Sequence, residues 1–384
     1  MRFPEFSGEW EMVSLQDIAT INPKSDPLQN TFIYIDLEAV EKGELRKIQE
    51  IMREEAPSRA QRVIDNNDIL FQCVRPYQKN NYIHRILNTS NQQWVASTGY
   101  AQIRTTELPN YIYHLLNTDE FNRKVMVRCT GSSYPAINSE DLATIHLYYT
   151  PDKKEQLKIS RLLDLLDKRI ATQNKIIEDL KKLKSAIIDY AINSLDTDFA
   201  KFGSLYETAG EGGTPTTSNA SFYDNGKIPF VKIDDLKQKY LTENKDFITE
   251  LGLQKSSAWL VPTRSILFSN GATIGEITIT TYPVCTKQGI LGIVPKSNID
   301  VEFLYYFMSS TYFKKAISRI VTEGTMKTAY LKDIANILCP IPTKEKQQGI
   351  AKMPSALNSK IDYEQSLLKL FIMQKQYLLR QMFI

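Results

Sequence analysis

The sequence lacks the features that mark a membrane, secreted or metal-binding chain. Its 384 residues include four cysteines and three histidines, and no two cysteines form a Cys-x-x-Cys pair. Such spacing is typical of reduced thiols in a cytoplasm and argues against a disulfide framework or a metal site. No uncharged apolar run approaches the roughly 18 residues of a membrane span, and the N-terminus shows no apolar signal-peptide segment. We therefore expect a cytoplasmic protein that binds no metal and no membrane.

Positive charge is missing where a broad nucleic-acid footprint would need it. Residues 1–151 hold 15 Lys and Arg against 19 Asp and Glu, and residues 193–342 hold 15 against 15. The basic excess lies in 152–192, with 10 against 7, and in 343–384, with 7 against 3. Any DNA contact must therefore be local or shared with a partner.

Catalytic motifs are also missing. Adenine methyltransferases grip the base with an Asn/Asp-Pro-Pro-aromatic motif, and Asn22-Pro23-Lys24 lacks it. The glycine-rich stretch 210–213 has no following Gly-Lys-Ser/Thr, so it predicts a flexible turn and not a phosphate-binding loop. No Gly-x-Ser-x-Gly elbow is found, and no histidine stands at a triad spacing. We predict a chain with no active site and no bound cofactor.

What the sequence does contain is an internal repeat. Asp-Ile-Leu at 68–70 returns as Ser-Ile-Leu at 265–267, and Asp-Leu-Ala at 141–143 returns as Asp-Ile-Ala at 333–335. The matches keep their order, which indicates a tandem duplication. Each half opens with short apolar runs bounded by turn residues, as strands are, and closes with a long helical pattern. We predict an α+β fold with an internal pseudo-twofold repeat: a first mixed domain at 1–151, a helix at 152–192, a second mixed domain at 193–342 and a helix at 343–384.

The two helical segments carry an apolar stripe with a period of 3.5 residues, the signature of a coiled-coil seam. Polar residues interrupt both stripes at equivalent positions, Gln173 with Glu364 and Lys184 with Lys375. We predict an antiparallel coiled coil; the alternative is two amphipathic helices packed separately on their own domains. Pro354 lies on the stripe and predicts a kink or a late helix start. The apolar seam residues are Ile159, Leu163, Leu166, Ile170, Ile177, Leu180, Ile187, Ile350, Leu357, Ile361, Leu368, Phe371 and Leu378.

Several loops combine a cation, an aromatic ring and small polar side chains. Arg can form two hydrogen bonds to guanine, Asn and Gln can form two to adenine, and Lys can bind phosphate. For any one loop, an ordinary polar surface without a ligand is the alternative. The presence of such loops in both halves favours a protein in which each half reads DNA. The candidate DNA-binding residues are Arg75, Tyr77, Lys79, Asn80, Asn81, Arg128, Ser132, Ser133, Tyr134, Asn270, Thr273, Lys287, Gln288, Thr325, Lys327 and Thr328.

Nearly the whole chain resembles the specificity subunit of type I restriction–modification systems. The opening Phe3-Pro4-Glu5-Phe6-Ser7-Gly8-Glu9-Trp10 is similar to the start of that family's first recognition domain. Gly213-Thr214-Pro215 with Ile228-Pro229-Phe230-Val231-Lys232-Ile233-Asp234 is similar to the start of the second. Pro151 with Glu155-Gln156 resembles the start of a spacer helix, whereas the second spacer departs slightly, with Glu345 and Gln347-Gln348.

The resemblance implies that each recognition domain reads one half of a bipartite double-stranded DNA target and that the helices set the gap. It also implies two modification subunits that carry S-adenosylmethionine, and restriction subunits that use ATP and Mg²⁺ in a restricting complex. Two other functions remain open at this point. One is a coiled-coil scaffold that joins protein partners without reading DNA, and the other is a nuclease or methyltransferase with an unrecognised site.

Overall fold

The computed structural model describes residues 2–85, 92–271, 273–321 and 327–383. The chain forms two compact units: unit 1 comprises Met1–Asn174 with Ser366–Ile384, and unit 2 comprises Lys175–Gln365. The unit boundaries cut across the two long helices, so each helix contributes one part to each unit. The division into four consecutive segments stays a prediction. Within the described ranges, no helix has the length and apolar character to cross a membrane.

Each unit has a similar succession of strands. The strands of unit 1 are β1 (Glu11–Ser14), β2 (Ala19–Ile21), β3 (Thr31–Ile35), β4 (Val40–Glu41), β5 (Glu44–Leu45), β6 (Gln49–Met52), β7 (Ala60–Ile64), β8 (Ile69–Gln72), β9 (Tyr82–Ile83), β10 (Gln93–Ser97), β11 (Tyr100–Thr105) and β12 (His146–Tyr149). The strands of unit 2 are β13 (Phe199–Lys201), β14 (Tyr206–Glu211), β15 (Ile228–Val231), β16 (Tyr240–Leu241), β17 (Asp246–Ile248), β18 (Ile266–Ser269), β19 (Ile277–Thr280), β20 (Cys285–Thr286), β21 (Ile290–Pro295) and β22 (Leu338–Pro340).

Short helices follow the sheets, and one long helix follows each set. The helices are α1 (Leu15–Ile18), α2 (Pro109–Leu116), α3 (Asp119–Arg128), α4 (Ser139–Ala143), α5 (Lys153–Asn193), α6 (Glu250–Gln254), α7 (Val301–Ser309), α8 (Thr311–Ile320), α9 (Leu331–Ile334) and α10 (Lys344–Met382). Side-chain caps explain several starts, because Thr118 accepts from the Phe121 amide at α3 and Asp300 accepts from the Phe303 amide at α7. The long helices begin two residues after Pro151 and Pro342, as the prolines predict.

The sheets of the two units correspond in most of their strands, and β16 at the edge of unit 2 has no counterpart in the matching sheet of unit 1. One sheet of unit 1 has the order β2-β11-β8-β9, and its counterpart in unit 2 has the order β14-β21-β18-β19-β16. A second sheet contains a parallel pair in each unit, β3 with β10 and β15 with β20. A two-stranded sheet, β1 with β12 or β13 with β22, stands beside them. The predicted α+β fold with a duplicated mixed domain is confirmed.

The two main cores have the same design. In unit 1 the rings of Phe71 and Phe121 meet edge to face at 5.8 Å, and in unit 2 those of Phe268 and Phe313 meet at 6.1 Å. These phenylalanines lie on β8, α3, β18 and α8, so each core joins a central strand to a short helix. The long helices complete both cores, with Ile159 and Leu163 of α5 in unit 1 and Ile188 and Ile192 of α5 in unit 2.

The long helices pack against each other antiparallel, as predicted. In unit 1 the Lys375 ammonium pairs with Asp167, and the Arg169 guanidinium lies 4.4 Å from the centre of the Phe371 ring. In unit 2 Lys184 Nζ donates to Asn358 Oδ1 at 2.7 Å. All the predicted seam side chains are buried or half-buried. The helices have 41 and 39 residues, and each spans about 60 Å at about 1.5 Å per residue.

Two local predictions are corrected. The second long helix does not start late, because Pro354 lies inside α10, which already begins at Lys344. The stretch 210–213 is not a flexible turn. Gly210 and Glu211 belong to β14, and Gly212 packs so tightly that an added Cβ would stand 2.2 Å from Thr286 Oγ1. These glycines therefore permit close packing of two backbone segments.

Candidate nucleic-acid interface

In unit 1, two of the candidate loops meet at the end of β8. The Cys73 amide donates to Gly99 O at 3.0 Å, and Cys73 O accepts from the Ile137 amide at 3.1 Å. The next contact is the Arg75 amide, which donates to Pro135 O at 2.7 Å. The loop after β8 and the loop before α4 are thereby fixed side by side by main-chain bonds.

Arg75 is the best-placed cation of this loop pair. Its backbone is left-handed, with φ of 54°, and Pro76 follows and starts a short 3₁₀ turn. Its guanidinium lies 4.1 Å from the centre of the Tyr134 ring, which is 63% exposed. A guanidinium stacked on a ring is already ordered, so it loses little conformational entropy on binding. Its N–H donors stay available for a bidentate hydrogen bond to guanine.

Unit 2 repeats this set of main-chain hydrogen bonds, which we call the loop frame, with different side chains. The Asn270 amide donates to Gly289 O at 3.0 Å, and Asn270 O accepts from the Ala329 amide at 2.9 Å. Gly271 forms an isolated antiparallel bridge with Thr328. Asn270 thus takes the place of Cys73 at the end of the equivalent strand. The loops that looked separate in the sequence form one pair in each unit.

The exposed candidate residues define two surfaces. We call reading surface 1 the set Arg75, Tyr77, Ser132, Ser133 and Tyr134, and reading surface 2 the set Thr273, Lys287, Gln288 and Lys327. Except for half-buried Arg75, these side chains are exposed, and they include cations, rings, hydroxyls and an amide. Such groups can contact both phosphates and base edges. Their role in DNA binding stays a prediction.

Other candidates are committed to the protein itself. The amides of Asn81 and Asn270 are each 2% exposed, and Asn81 accepts from the Gln72 amide at 2.8 Å. The Arg128 guanidinium donates to Asp141 O at 2.7 Å and to Thr144 Oγ1 at 2.8 Å. The reading surfaces therefore do not include Asn81, Asn270 or Arg128, because the two asparagines are buried and a DNA contact by Arg128 would break its bonds.

Lys79, Asn80 and Thr328 lie at the margin of the loops. The Lys79 ammonium stands 2.8 Å from Asp119 Oδ1, and this bond, with one from Arg380, lowers the pKa of Asp119. Asn80 is half-buried and accepts from a backbone amide, and Thr328 is half-buried at its bridge. Thr325 lies outside the described residues.

Lys42, which was not among the residues predicted from the sequence, lies beside this site in the fold. Lys42 and Gly43 form the turn between β4 and β5, both with positive φ, and the Lys42 amide donates to Asn80 Oδ1 at 3.0 Å. The Lys42 side chain is exposed. A contact over 38 residues cannot be predicted from local spacing.

The remaining chemistry of this region is inert. Burial raises the pKa of the Cys73 thiol to about 12, so it stays protonated and unreactive at neutral pH. Across the described residues, no group of three His, Cys, Asp or Glu side chains is arranged to hold a metal ion. The arrangement favours binding through hydrogen bonds and stacking.

Comparison with known proteins agrees with this geometry. The family model for the type I restriction modification DNA specificity domain matches twice, at residues 7–182 and 196–370. The chain is 22% identical to the HindI specificity subunit of Haemophilus influenzae, with 83% of each chain covered. A chain from a structure on assembly of a type I R-M system matches with a TM-score of 0.63 at 20% identity, covering 97% of both. The S subunit from M. genitalium matches with a TM-score of 0.59 at 16% identity, covering 98% of this chain and 96% of that one.

Proposed function

This chain belongs to the type I restriction–modification DNA specificity family, and from that premise we propose that each unit reads one half of a bipartite DNA target. Membership assigns a role in DNA sequence specificity and decides against a scaffold that does not read DNA. The observation that carries the proposal is the repeated loop frame, with Cys73 and Asn270 making the same main-chain bonds in the two units. Two similar frames with different side chains suit two different half-sites.

The paired long helices supply the gap between the half-sites. Half-site spacing follows the geometry of the protein that holds two reading elements. A helix of about 60 Å sets a ceiling of roughly 17 base pairs, and oblique docking shortens it. In this proposal base choice and gap length have separate structural origins.

We also propose that the long helices dock two modification subunits. Exposed apolar side chains mark α5 and α10 in unit 1, including Leu157, Leu165, Leu370, Met373 and Tyr377. Leu370, Met373 and Tyr377 are spaced for one helix face, and exposed apolar patches mark protein contacts. The modification subunits would carry S-adenosylmethionine and extrude the target adenine. Restriction subunits with ATP and Mg²⁺ would complete a restricting complex in the cytoplasm, and this chain would contribute no catalysis.

The test of the reading role is sequencing of methylated adenines in DNA from cells that express the chain with its modification subunit. We expect one bipartite sequence, and no methyl transfer from labelled S-adenosylmethionine by the purified chain alone. The loss of that sequence when this chain is omitted is the matched control. Methylation at a single undivided sequence, or by the chain alone, would contradict the proposal.

The test of the gap is deletion of the facing heptads 170–176 and 366–372. Seven residues span about 10 Å of helix, which corresponds to about 3 base pairs. We expect the gap to shorten by about that number while both half-sites are kept. A control in which the same heptads are replaced by heptads of equal length should keep the original gap. An unchanged gap in the deletion variant would rule out the helices as the spacer.

A further inference from the structure

Lys239 is a lysine whose side chain is only 3% exposed. It directly precedes β16, an edge strand of the sheet whose strand β18 ends at the loop frame of unit 2. Its carbonyl accepts from the Ile279 amide at 2.8 Å, so its backbone belongs to that sheet. Burial of an ammonium is costly unless ion pairs and hydrogen bonds compensate it.

The Lys239 ammonium connects the sheet to two helices of unit 2. It donates to Ser355 Oγ of α10 at 3.0 Å and forms an ion pair with Glu302 of α7. The rings of Tyr306 and Tyr240 lie 4.7 and 4.8 Å from it, within cation–π distance. Tyr306 also donates to Ser355 Oγ at 3.1 Å. One cation thus joins the edge strand, the short helix and the long helix.

Unit 1 has a joint between the corresponding helices, but its chemistry differs and its cation follows β9, which corresponds to β19 and not to β16. Asp164 of α5 and His114 of α2 stand where unit 2 has Ser355 and Tyr306, and His114 Nε2 lies 2.8 Å from Asp164 Oδ1. The cation is Arg85, which follows edge strand β9 and bonds to Asn110 of α2. Both units therefore link the sheet edge through a cation to the short helix, and the short helix to the long helix.

Buried ionic joints add little net stability compared with well-packed apolar side chains, but they demand one geometry. We propose that Lys239 is a positioning residue that holds the sheet of reading surface 2 at a fixed angle to α10 and so limits the gap length that the complex accepts. This inference rests on the proposed function and deepens it. Base choice belongs to the loops, and tolerance of gap length belongs to the joint.

The experiment uses the full chain in complex with its modification subunit. Duplexes carry the two wild-type half-sites with the best gap or with one base pair more or less, and methylation rates are compared. Lys239→Met removes the cation, and Ser355→Ala removes its partner on α10 without burying an unpaired charge. Lys237→Met is the matched control, because that lysine is 69% exposed and pairs only with exposed Asp234. Thermal unfolding is recorded for each variant.

We expect Lys239→Met to lower the preference for the best gap about tenfold, the scale of one charged hydrogen bond, and Ser355→Ala to lower it in the same direction. Base preference in both half-sites should be kept, Lys239→Arg should restore part of the gap preference, and Lys237→Met should behave as wild type. If Lys239→Met fails to fold, Ser355→Ala decides. A lower melting temperature with unchanged gap preference overturns the positioning role. Absence of any bipartite site in the wild-type complex overturns the proposed function and this inference with it.

Discussion

The two seam lysines are equivalent in the repeat but have different partners, and this difference gives a quantitative prediction. In unit 1, Lys375 pairs with the carboxylate of Asp167. In unit 2, Lys184 is half-buried and donates to the neutral amide of Asn358 at 2.7 Å, and the carboxylate of Asp362 attracts it electrostatically. Burial lowers the pKa of Lys184, which means that the fold penalises its charged form. A carboxylate at position 358 would remove the penalty.

We therefore expect Asn358→Asp to stabilise unit 2 and Asp167→Asn to destabilise unit 1. The side chains of Asp167 and Lys375 are 35% and 21% exposed, so water weakens their attraction. A charge-assisted hydrogen bond in such a setting is worth about 1 kcal/mol. For a unit of this size the change corresponds to a shift in melting temperature of about 2–4 °C, upward for the first variant and downward for the second.

The pH dependence of unit 2 has a defined sign. Because the pKa of Lys184 is lower in the folded state than the ordinary 10.5, the folded state binds fewer protons in the window just below that value. Stability of unit 2 should therefore rise as pH increases through this window. Asn358→Asp should abolish the rise, because the new carboxylate favours the charged lysine.

Denaturant unfolding of the full chain at pH 7 and pH 10 measures these effects. Lys182→Met is a suitable control, because Lys182 is 69% exposed and pairs only with Glu178 on its own helix. High salt should shrink both changes, as for any partly exposed ion pair. Destabilisation by Asn358→Asp, or an equal pH response in that variant and the wild type, would refute the assignment of Lys184 as an underpaired seam charge.

Three further predictions follow from other contacts. Arg75→Ala should relax base choice at one position of one half-site, with a loss of about 1–3 kcal/mol of discrimination, and equal loss in both halves in methylation sequencing would contradict separate reading. Arg2→Ala should destabilise unit 1 in urea unfolding, because it leaves the buried Glu155 carboxylate without its cation. Gly212→Ala should lower the melting temperature, because its Cβ would clash with Thr286, and a neutral result would show that the strand can shift.

The long helices and the duplication were predictable because their signals are local and periodic. A repeat of 3.5 residues needs no knowledge of the rest of the fold, and every predicted apolar seam position is buried or half-buried. The order of repeated motifs predicted two similar domains in the same way. The polar seam residues Lys184 and Lys375 were visible too, but their partners Asn358 and Asp167 come from the other helix and depend on its register.

For the loops, the sequence predicted which residue types could contact DNA but not which side chains point outward. Asn81 and Lys42 show the reason, since a polar side chain is equally compatible with a ligand and with a bond inside the protein. Asn81 turned inward to a strand that lies nine residues back, whereas Lys42 was brought to the loops by an amide 38 residues away. Contacts at that separation depend on sheet order. The prediction for 210–213 was wrong for the same reason, because the tight packing of Gly212 against Thr286 lies outside any local window.

If the loops read bases as proposed, the loop frames would allow base choice to change while the fold stays the same. The bonds that fix each loop pair run between backbone atoms, from Cys73 to Gly99 and Ile137, and from Asn270 to Gly289 and Ala329. Because backbone bonds place few demands on side chains, the residues between them can be exchanged at little cost to stability. The joints at half-buried Arg85 and buried Lys239 have less freedom, since a substitution that removes the cation leaves its polar partners unpaired. Variation should therefore concentrate in the reading surfaces, and the joints should change only together with their partners.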